Sequence, residues 1–320
     1  MAAPVWHGLL AIDKPTGVTS HDVVLRVRRA LGAPGAGHLG TLDPAASGLL
    51  MVALGAATRA IPVWQGGDKT YEGTVRFGIE TDSQDLDGAV IAEQPLGALD
   101  ADRVHAATAS LIGTIAQIPP MVSALKVGGQ RLHALARRGV EVERAPRTIT
   151  VHSWEWLGFA LPDAQFRIRC SGGTYIRTLA HDLGRALGTG AALAALRRTR
   201  SEPFGLERAI ALAELERLDP AETLARAGIA IDRALDVLPA VVVDAGAAAS
   251  LGVGGRPRID AHEDAPLDGG PRSVVFRDAT GRALALGELK PSGDGRIACP
   301  HVVFPWAVRG SDSLLRAAEA

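Results

Sequence analysis

The sequence predicts an α+β fold: a large mixed, mostly antiparallel sheet in a first domain, followed by a small C-terminal β domain. Three observations carry this. Strand-like segments neighbour one another along the chain, with helices interspersed between them rather than alternating regularly. At Leu238-Pro239 the texture changes, and short strand-like runs joined by Gly- and Pro-rich connections follow. The length of 320 residues suits about two domains.

Gly8 to Ile12 reads as a short buried strand ending in the turn Asp13-Lys14-Pro15-Thr16-Gly17. Thr19 or Ser20 caps the next helix, in which Val23, Val24, Val27 and Leu31 recur at helical spacing, and Gly32 stops it. Gly48 to Leu54 is an apolar strand, and Ala56 to Trp64 a short helix that ends near Pro62. Tyr71 to Gly78 alternates as a strand, Asp102 to Ile112 reads as a helix, and 113–118 as a strand. Residues 119–146 form a long polar and basic excursion containing Lys126, Arg131, Arg137, Arg138 and Arg144, with Arg147 at its edge. Thr148 to Phe159 and Gln165 to Ser171 are strand-like; Thr174 to Leu187 and Ala191 to Arg198 are helix-like. Ala240 to Asp244, Ser273 to Arg277, Ala283 to Leu289 and Ile297 to Phe304 are the short strands of the second domain. The expected organisation is a first domain over 1–236, a second over 237–310, and a frayed tail over 311–320.

Composition excludes several classes. An apolar share of 47% with 22% charged residues describes a folded chain rather than a disordered one. Aromatics are scarce at 4%, so aliphatic side chains must fill most of the core. Cys170 and Cys299 match no metal-ligand spacing, and a disulfide framework is not expected. The start, Met-Ala-Ala-Pro-Val-Trp-His, has neither the basic segment nor the apolar run of a signal peptide. No stretch reaches the ~18 uninterrupted apolar residues of a membrane helix, so the expected place is the cytoplasm, with no membrane partner. Net charge is −1, but residues 121–200 hold 13 Lys+Arg against 5 Asp+Glu, while residues 201–320 hold 13 against 18. A basic middle third in a neutral chain suits a localised polyanion-binding face.

The most informative segment is Gly37-His38-Leu39-Gly40-Thr41-Leu42-Asp43-Pro44-Ala45-Ala46-Ser47-Gly48. It sets one carboxylate, Asp43, in a turn built by glycines and a proline, just ahead of an apolar run. From spacing alone two readings stay open: a turn carboxylate bonded to its own backbone, or a nucleophile or proton carrier. Tyr71, at the head of a strand after Asp68-Lys69-Thr70, is either a half-buried strand residue or an active-site phenol. Arg177, one turn inside the helix opened by Ser171-Gly172-Gly173-Thr174-Tyr175, is either a surface Arg or a partner for an acid. Asp82, Asp85 and Asp87 ahead of Gly88 lack the distal Glu and flanking helices of a calcium loop and read as a turn network with no metal. Neither a hydrolase elbow nor a phosphate-binding or dinucleotide glycine pattern is present, and no cofactor is expected.

Taken in order, six motifs resemble the TruB family, the bacterial tRNA pseudouridine synthases that act on the T arm. They are Asp13-Lys14-Pro15 with Gly17; Gly37 to Pro44; Asp68-Lys69-Thr70-Tyr71; Thr81-Asp82 with Asp85 and Gly88; Ile118-Pro119-Pro120-Met121 with Ser123-Ala124-Leu125-Lys126; and Gly173-Thr174-Tyr175-Ile176-Arg177-Thr178. The likeness runs from Gly8 to Arg200. It departs at Val122, where members often carry Tyr.

The resemblance implies a pseudouridine-synthase catalytic domain and a PUA-like RNA-binding C-terminal domain. It implies isomerisation of uridine 55 of tRNA by a monomer that needs no protein partner. Asp43 matches the catalytic acid, Arg177 the arginine that pairs with it through a bidentate fork, and Tyr71 the active-site tyrosine that stacks on the base. Leu196 corresponds to an apolar wall against the uracil, Tyr175 to a substrate- or RNA-binding position, and His38 to the residue that fills the stack after the base is extruded. Lys14 would support the Asp43 loop and touch phosphate, and Arg59 would meet the flipped nucleotide's backbone. Residues 119–146 correspond to a thumb-like insertion whose Lys126 and Arg131 contact phosphates. Two alternatives remain: a synthase of another RNA, and a tRNA-binding or tRNA-folding module.

Overall fold

A computed structural model describes residues 6–123, 125–127, 129–132, 135, 138–259, 273–292 and 295–308, without the side chains of Lys126, Val127 and Arg131. Arg137 and the expected tail over 311–320 lie outside the described residues.

The molecule is organised around strand β1 (Gly8–Lys14), whose Leu9, Leu10 and Ile12 are wholly buried. It leads to helix α1 (Ser20–Ala30), strand β2 (Ala36–His38) and strand β3 (Ser47–Leu54). β1 and β3 pair antiparallel over seven residue pairs, Gly8 with Leu54 through Lys14 with Gly48. Both are covered on both faces, which is why they read as continuous apolar runs rather than as alternation. Thr19 caps α1: its side chain accepts from Asp22 N, and the Asp22 carboxylate accepts from Thr19 N, both at 3.0 Å. Val23 and Val27 on the inner stripe are wholly buried.

Beyond β3 a 3-10 turn over Gly55–Ala60 runs into helix α2 (Ile61–Gln65), with Pro62 in its first turn rather than ending the helix. Strand β4 (Lys69–Phe77), the hairpin of β5 (Ile79–Thr81) and β6 (Val90–Glu93), helix α3 (Ala101–Ala109) and strand β7 (Gly113–Gln117) follow. The basic excursion holds a two-stranded ribbon of β8 (Lys126–Val127) and β9 (Gln130–Arg131). Then come β10 (Arg147–Ala160), β11 (Asp163–Cys170), helix α4 (Ile176–Leu187) and β12 (Ala191–Ser201).

The segment Ala191 to Arg198 corrects the sequence reading. Its Ala-Leu-rich text suits a helix, but it is a strand in the middle of the main sheet, antiparallel to β4 and parallel to β3 at Arg197–Ser47 and Arg198–Gly48. Gly188 and Gly190, both at positive φ, stop α4 and turn the chain back. Burial of Ala191, Ala192 and Leu193 between neighbours then outweighs helix propensity.

Among the described residues, strands β13 (Phe204–Gly205), β14 (Ile210–Ala211) and β15 (Gly228–Ala230) complete an eleven-stranded mixed sheet, whose main path runs β14-β1-β3-β12-β4-β11-β10-β7. Between and after them lie helices α5 (Leu212–Leu215), α6 (Pro220–Ala227) and α7 (Ile231–Ala234), which the sequence reading did not resolve. Among the described residues the C-terminal unit is a five-stranded sheet of β16 (Ala240–Val242), β17 (Arg258–Ile259), β18 (Ser273–Arg277), β19 (Ala283–Ser292) and β20 (Gly295–Val303), with helix α8 (Ala245–Gly252) packed on it. An α+β chain with one large mixed sheet and a small β unit is thus what forms.

Candidate active site

The loop that carries Asp43 is tied down from every side. Gly17 N donates to Pro44 O at 2.8 Å, and Leu39 N to Met51 O at 3.0 Å. The Ser20 hydroxyl, at the start of α1, accepts from Leu42 N (2.8 Å) and donates to Leu42 O (2.9 Å). Lys14 Nζ, on a wholly buried residue, reaches Ala46 O at 2.7 Å and Pro15 O at 2.9 Å, with Pro44 O at 3.4 Å. Gly48 sits at φ +102°, and a Cβ there would fall within the backbone of Arg198. The Asp43 carbonyl closes the turn by accepting from Ala46 N at 3.1 Å, so the carboxylate is left for other work.

That carboxylate faces Arg177. Arg177 Nε lies 3.0 Å from Asp43 Oδ2, and Arg177 Nη1 lies 3.3 Å from Asp85 Oδ2. The guanidinium also donates to Ser83 O (2.8 Å) and Val122 O (2.9 Å) and is only 4% exposed. Arg177 is therefore no surface helix residue. The expected bidentate fork on Asp43 is corrected: Arg177 gives Asp43 one nitrogen and spends the others on Asp85 and two carbonyls. Burial pushes the Asp43 carboxyl above the ordinary carboxylate range; Arg177 opposes this, Asp85 adds to it and Lys14 opposes it.

Asp43, Tyr71, Tyr175, Arg177 and Leu196 line one cavity of about 420 Å³, with Lys69, Arg198 and Leu125 among its other walls. Cavities of this size hold small-molecule ligands. Asp43 keeps 41% of its side-chain surface open there. Tyr71 stands on β4, directly opposite Arg198 on β12 and Ile168 on β11. Burial raises its phenol pKa, while Arg198 opposes the rise. Tyr175, at the N-terminus of α4, is held by its backbone: Gln117 Oε1 accepts from Tyr175 N (2.9 Å) and Gln117 Nε2 donates to Tyr175 O (3.0 Å). Burial also raises the Tyr175 phenol.

The remaining sequence candidates fall elsewhere. Lys14 does support the loop, but its ammonium protons are spent on carbonyls and no surface is left for phosphate. His38 lies on β2 opposite Val52, outside the cavity wall, with a buried Nδ1 that bonds to nothing among the described residues. Burial lowers its pKa, with Arg198 and His21 adding to the effect, so the ring is neutral near pH 7. Arg59 is exposed at the seam with the C-terminal sheet, where Nη1 donates to Val303 O at 2.6 Å. Lys126 and Arg131 sit on the β8–β9 ribbon, and their side chains lie outside the described residues.

Three site residues escaped the sequence reading. Asp85 was read as turn-forming, and it is: its carboxylate accepts from the Ser83 hydroxyl (2.5 Å) and Asp87 N (3.2 Å). Its second oxygen serves Arg177. Lys69 is buried beside the cavity, donates to Gln65 O (2.6 Å) and Gly67 O, and is pushed down to about 8 by burial and by Arg198. Arg198 had no signal beyond its basic neighbours.

A half-buried acid paired with a buried arginine and opening on a walled cavity, set in a large mixed sheet, defines an enzyme-type site. The sequence comparisons place it. The TruB family pseudouridylate synthase N-terminal domain matches residues 28–176, and the tRNA pseudouridylate synthase B C-terminal domain matches residues 177–238. The tRNA pseudouridine synthase B of Aromatoleum aromaticum is 46% identical over 286 residues, covering 89% of this chain and 90% of that protein. The protein of the same name from Thermobifida fusca is 42% identical over 305 residues, covering 93% and 98%. Among solved structures, the archaeal box H/ACA sRNP Nop10–Cbf5 complex matches with a TM-score of 0.71 and 28% identity, covering 94% of this chain and 86% of that one. An H/ACA RNP bound to a substrate RNA containing 2′-deoxyuridine matches at 0.69 and 26%, covering 95% and 91%. The chain belongs to the TruB family of pseudouridylate synthases.

Proposed function

We propose that this chain isomerises uridine to pseudouridine at position 55 in the T arm of tRNA, with Asp43 acting on a uridine turned out of its stack. The single observation that carries the reading is the ionisable Asp43, 3.0 Å from buried Arg177, opening on a cavity walled by Tyr71, Tyr175 and Leu196. The relatives' names support tRNA as the substrate. The T arm and position 55 rest on the ordered motifs.

The reaction breaks the N1–C1′ bond, turns the uracil and rejoins it through C5, which gives up its proton while N1 takes one up. No redox or energy input is required. A carboxylate suits a sugar undergoing C–N cleavage for the reason that glycosidases use one: it attacks or stabilises an electron-poor centre. Arg177 favours the ionised form of Asp43 against the pull of burial and aims it. Tyr71 and Leu196 hold the base between them, and Tyr175 flanks the entry. A base inside a folded arm must be extruded first, and His38, flat and neutral, would fill the gap it leaves. Residues 119–146 would close over the RNA as a thumb, with Lys126 and Arg131 on phosphates. The unit over 237–310 would act as an auxiliary PUA-like module beside the catalytic unit over 1–236. The protein would work as a cytoplasmic monomer without a protein partner.

The test is Asp43→Asn on an isolated T-arm stem-loop. Pseudouridine formation should vanish while the RNA still binds, and wild type should leave a stem-loop with cytidine at the target position unmodified. Retained turnover in Asp43→Asn would remove the assignment. Wild type that binds and refolds tRNA but makes no pseudouridine would make it a folding module.

A further inference from the structure

We propose that Arg198 is a positioning residue for this reaction: standing beside Tyr71, it ties the strand next to that tyrosine to the loop that carries Asp43 and so sets the spacing of the two. The proposal rests on the pseudouridine-synthase reading above and goes beyond it to a residue that reading does not use.

Arg198 and Tyr71 are direct partners in the β4–β12 ladder, so their side chains stand side by side on one face of the sheet. Both are buried, at 3% and 8% exposure, and both line the cavity. The guanidinium spans two elements at once. Nε donates to Leu49 O at 2.8 Å, on β3, and Nη2 donates to Gly40 O at 3.1 Å, in the Asp43 loop. Nη1 reaches Thr41 O at 3.5 Å, in the same loop.

Tyr71 and the Asp43 loop therefore flank one rigid cation, and the planar fork of Arg198 holds the loop at a set distance from the strand beside Tyr71. A lysine at 198 would keep the charge but present a single flexible point of donation. The same cation works against the effect of burial on the phenol.

A double-mutant cycle with Arg198→Lys and Tyr71→Phe, read as single-turnover rates on a T-arm stem-loop, tests this. Arg198→Lys alone should lower kcat by roughly 10- to 100-fold with KM little changed, as expected for a group acting in the transition state. In the Tyr71→Phe background the same change should cost less than about 3-fold. Losses that multiply in full would overturn the proposal.

A second readout needs no turnover. The chain has two tyrosines, Tyr71 and Tyr175, so tyrosine labelled at Cζ gives two carbon resonances, assigned with Tyr175→Phe. Arg198→Lys should move the Tyr71 resonance and leave that of Tyr175 in place. An unmoved Tyr71 signal in a folded variant would sink the idea. A wild type without any pseudouridine formation overturns the functional reading and this proposal together. Turnover with full multiplicative losses overturns this proposal alone.

Discussion

Asp43 lies between opposing influences, and the balance sets how the protein should respond to pH. Burial and the neighbouring Asp85 raise its pKa; Arg177 and Lys14 lower it; burial is the largest influence. If the carboxylate is the working form, the rate must rise with pH along a limb displaced above the ordinary aspartate range. Replacing Arg177 with Gln removes a lowering influence, so the acid limb of kcat/KM should move to still higher pH; a limb that stays put or moves down would refute the pairing. The stability sign is opposite. A folded-state pKa above the unfolded one means that the native state binds more protons within that window. Asp43 therefore contributes stability at low pH that is lost as pH rises through its folded pKa. The motif order made Asp43, Tyr71 and Arg177 legible in the sequence. Asp85 and Arg198 were not, because their importance lies in side-chain contacts between segments far apart in the chain. Asp85 meets Arg177 across the sheet edge, and Arg198 meets carbonyls of β3 and the loop beneath it.

The helices and strands around the site act chiefly as clamps. Helix α1 is amphipathic and well capped, and its first residue, Ser20, exchanges two hydrogen bonds with the backbone of Leu42, next to Asp43. Ser20→Ala would leave a buried amide and carbonyl without partners, at about 1–3 kcal/mol. A lower denaturation midpoint, together with a drop in kcat at nearly constant KM, is the expected outcome. Unchanged kcat would show that the loop holds its pose without α1. At the other side of the cavity, Gln117 ends β7 and grips both backbone groups of Tyr175. Gln117→Ala should loosen the N-terminus of α4 and weaken RNA binding or turnover, whereas β7 itself should persist because its ladder to β10 does not involve that side chain. Most of these elements were readable from apolar spacing and turn chemistry. The strand Ala191–Ser201 was not: alanine and leucine favour helix locally, and only the pairing with β3 and β4 decides otherwise. Gly188 and Gly190 were the local signal, since two glycines just past a helix stop it cleanly.

The break in texture at Leu238-Pro239 suggests two separable domains, yet the packing joins the two units. One buried cluster contains Leu9, Met51, Ala57 and Trp64 from the first unit together with Val275, Leu286 and Phe304 from the C-terminal sheet. Polar contacts reinforce the seam. Arg277 donates to Asp232 O (2.9 Å) and to the Asp236 carboxylate (3.0 Å), and the Asp232 carboxylate accepts from Ala283 N at 2.7 Å. The rings of His7 and Trp306 also meet across the seam, with centres 5.0 Å apart. A shared apolar cluster couples the unfolding of its two halves, because neither can open without exposing the other's buried surface. The full chain should therefore melt in one calorimetric transition with matching calorimetric and van't Hoff enthalpies. Ending the chain after Leu238 should lower the melting temperature and promote aggregation, as Ala57 and its neighbours lose their cover. Arg277→Ala should give a milder drop in the same direction, since it removes the bonds to Asp232 O and to the Asp236 carboxylate at the seam. Two well-separated transitions, or a shortened chain as stable as the whole, would instead make the C-terminal sheet an independent module tethered beside the site.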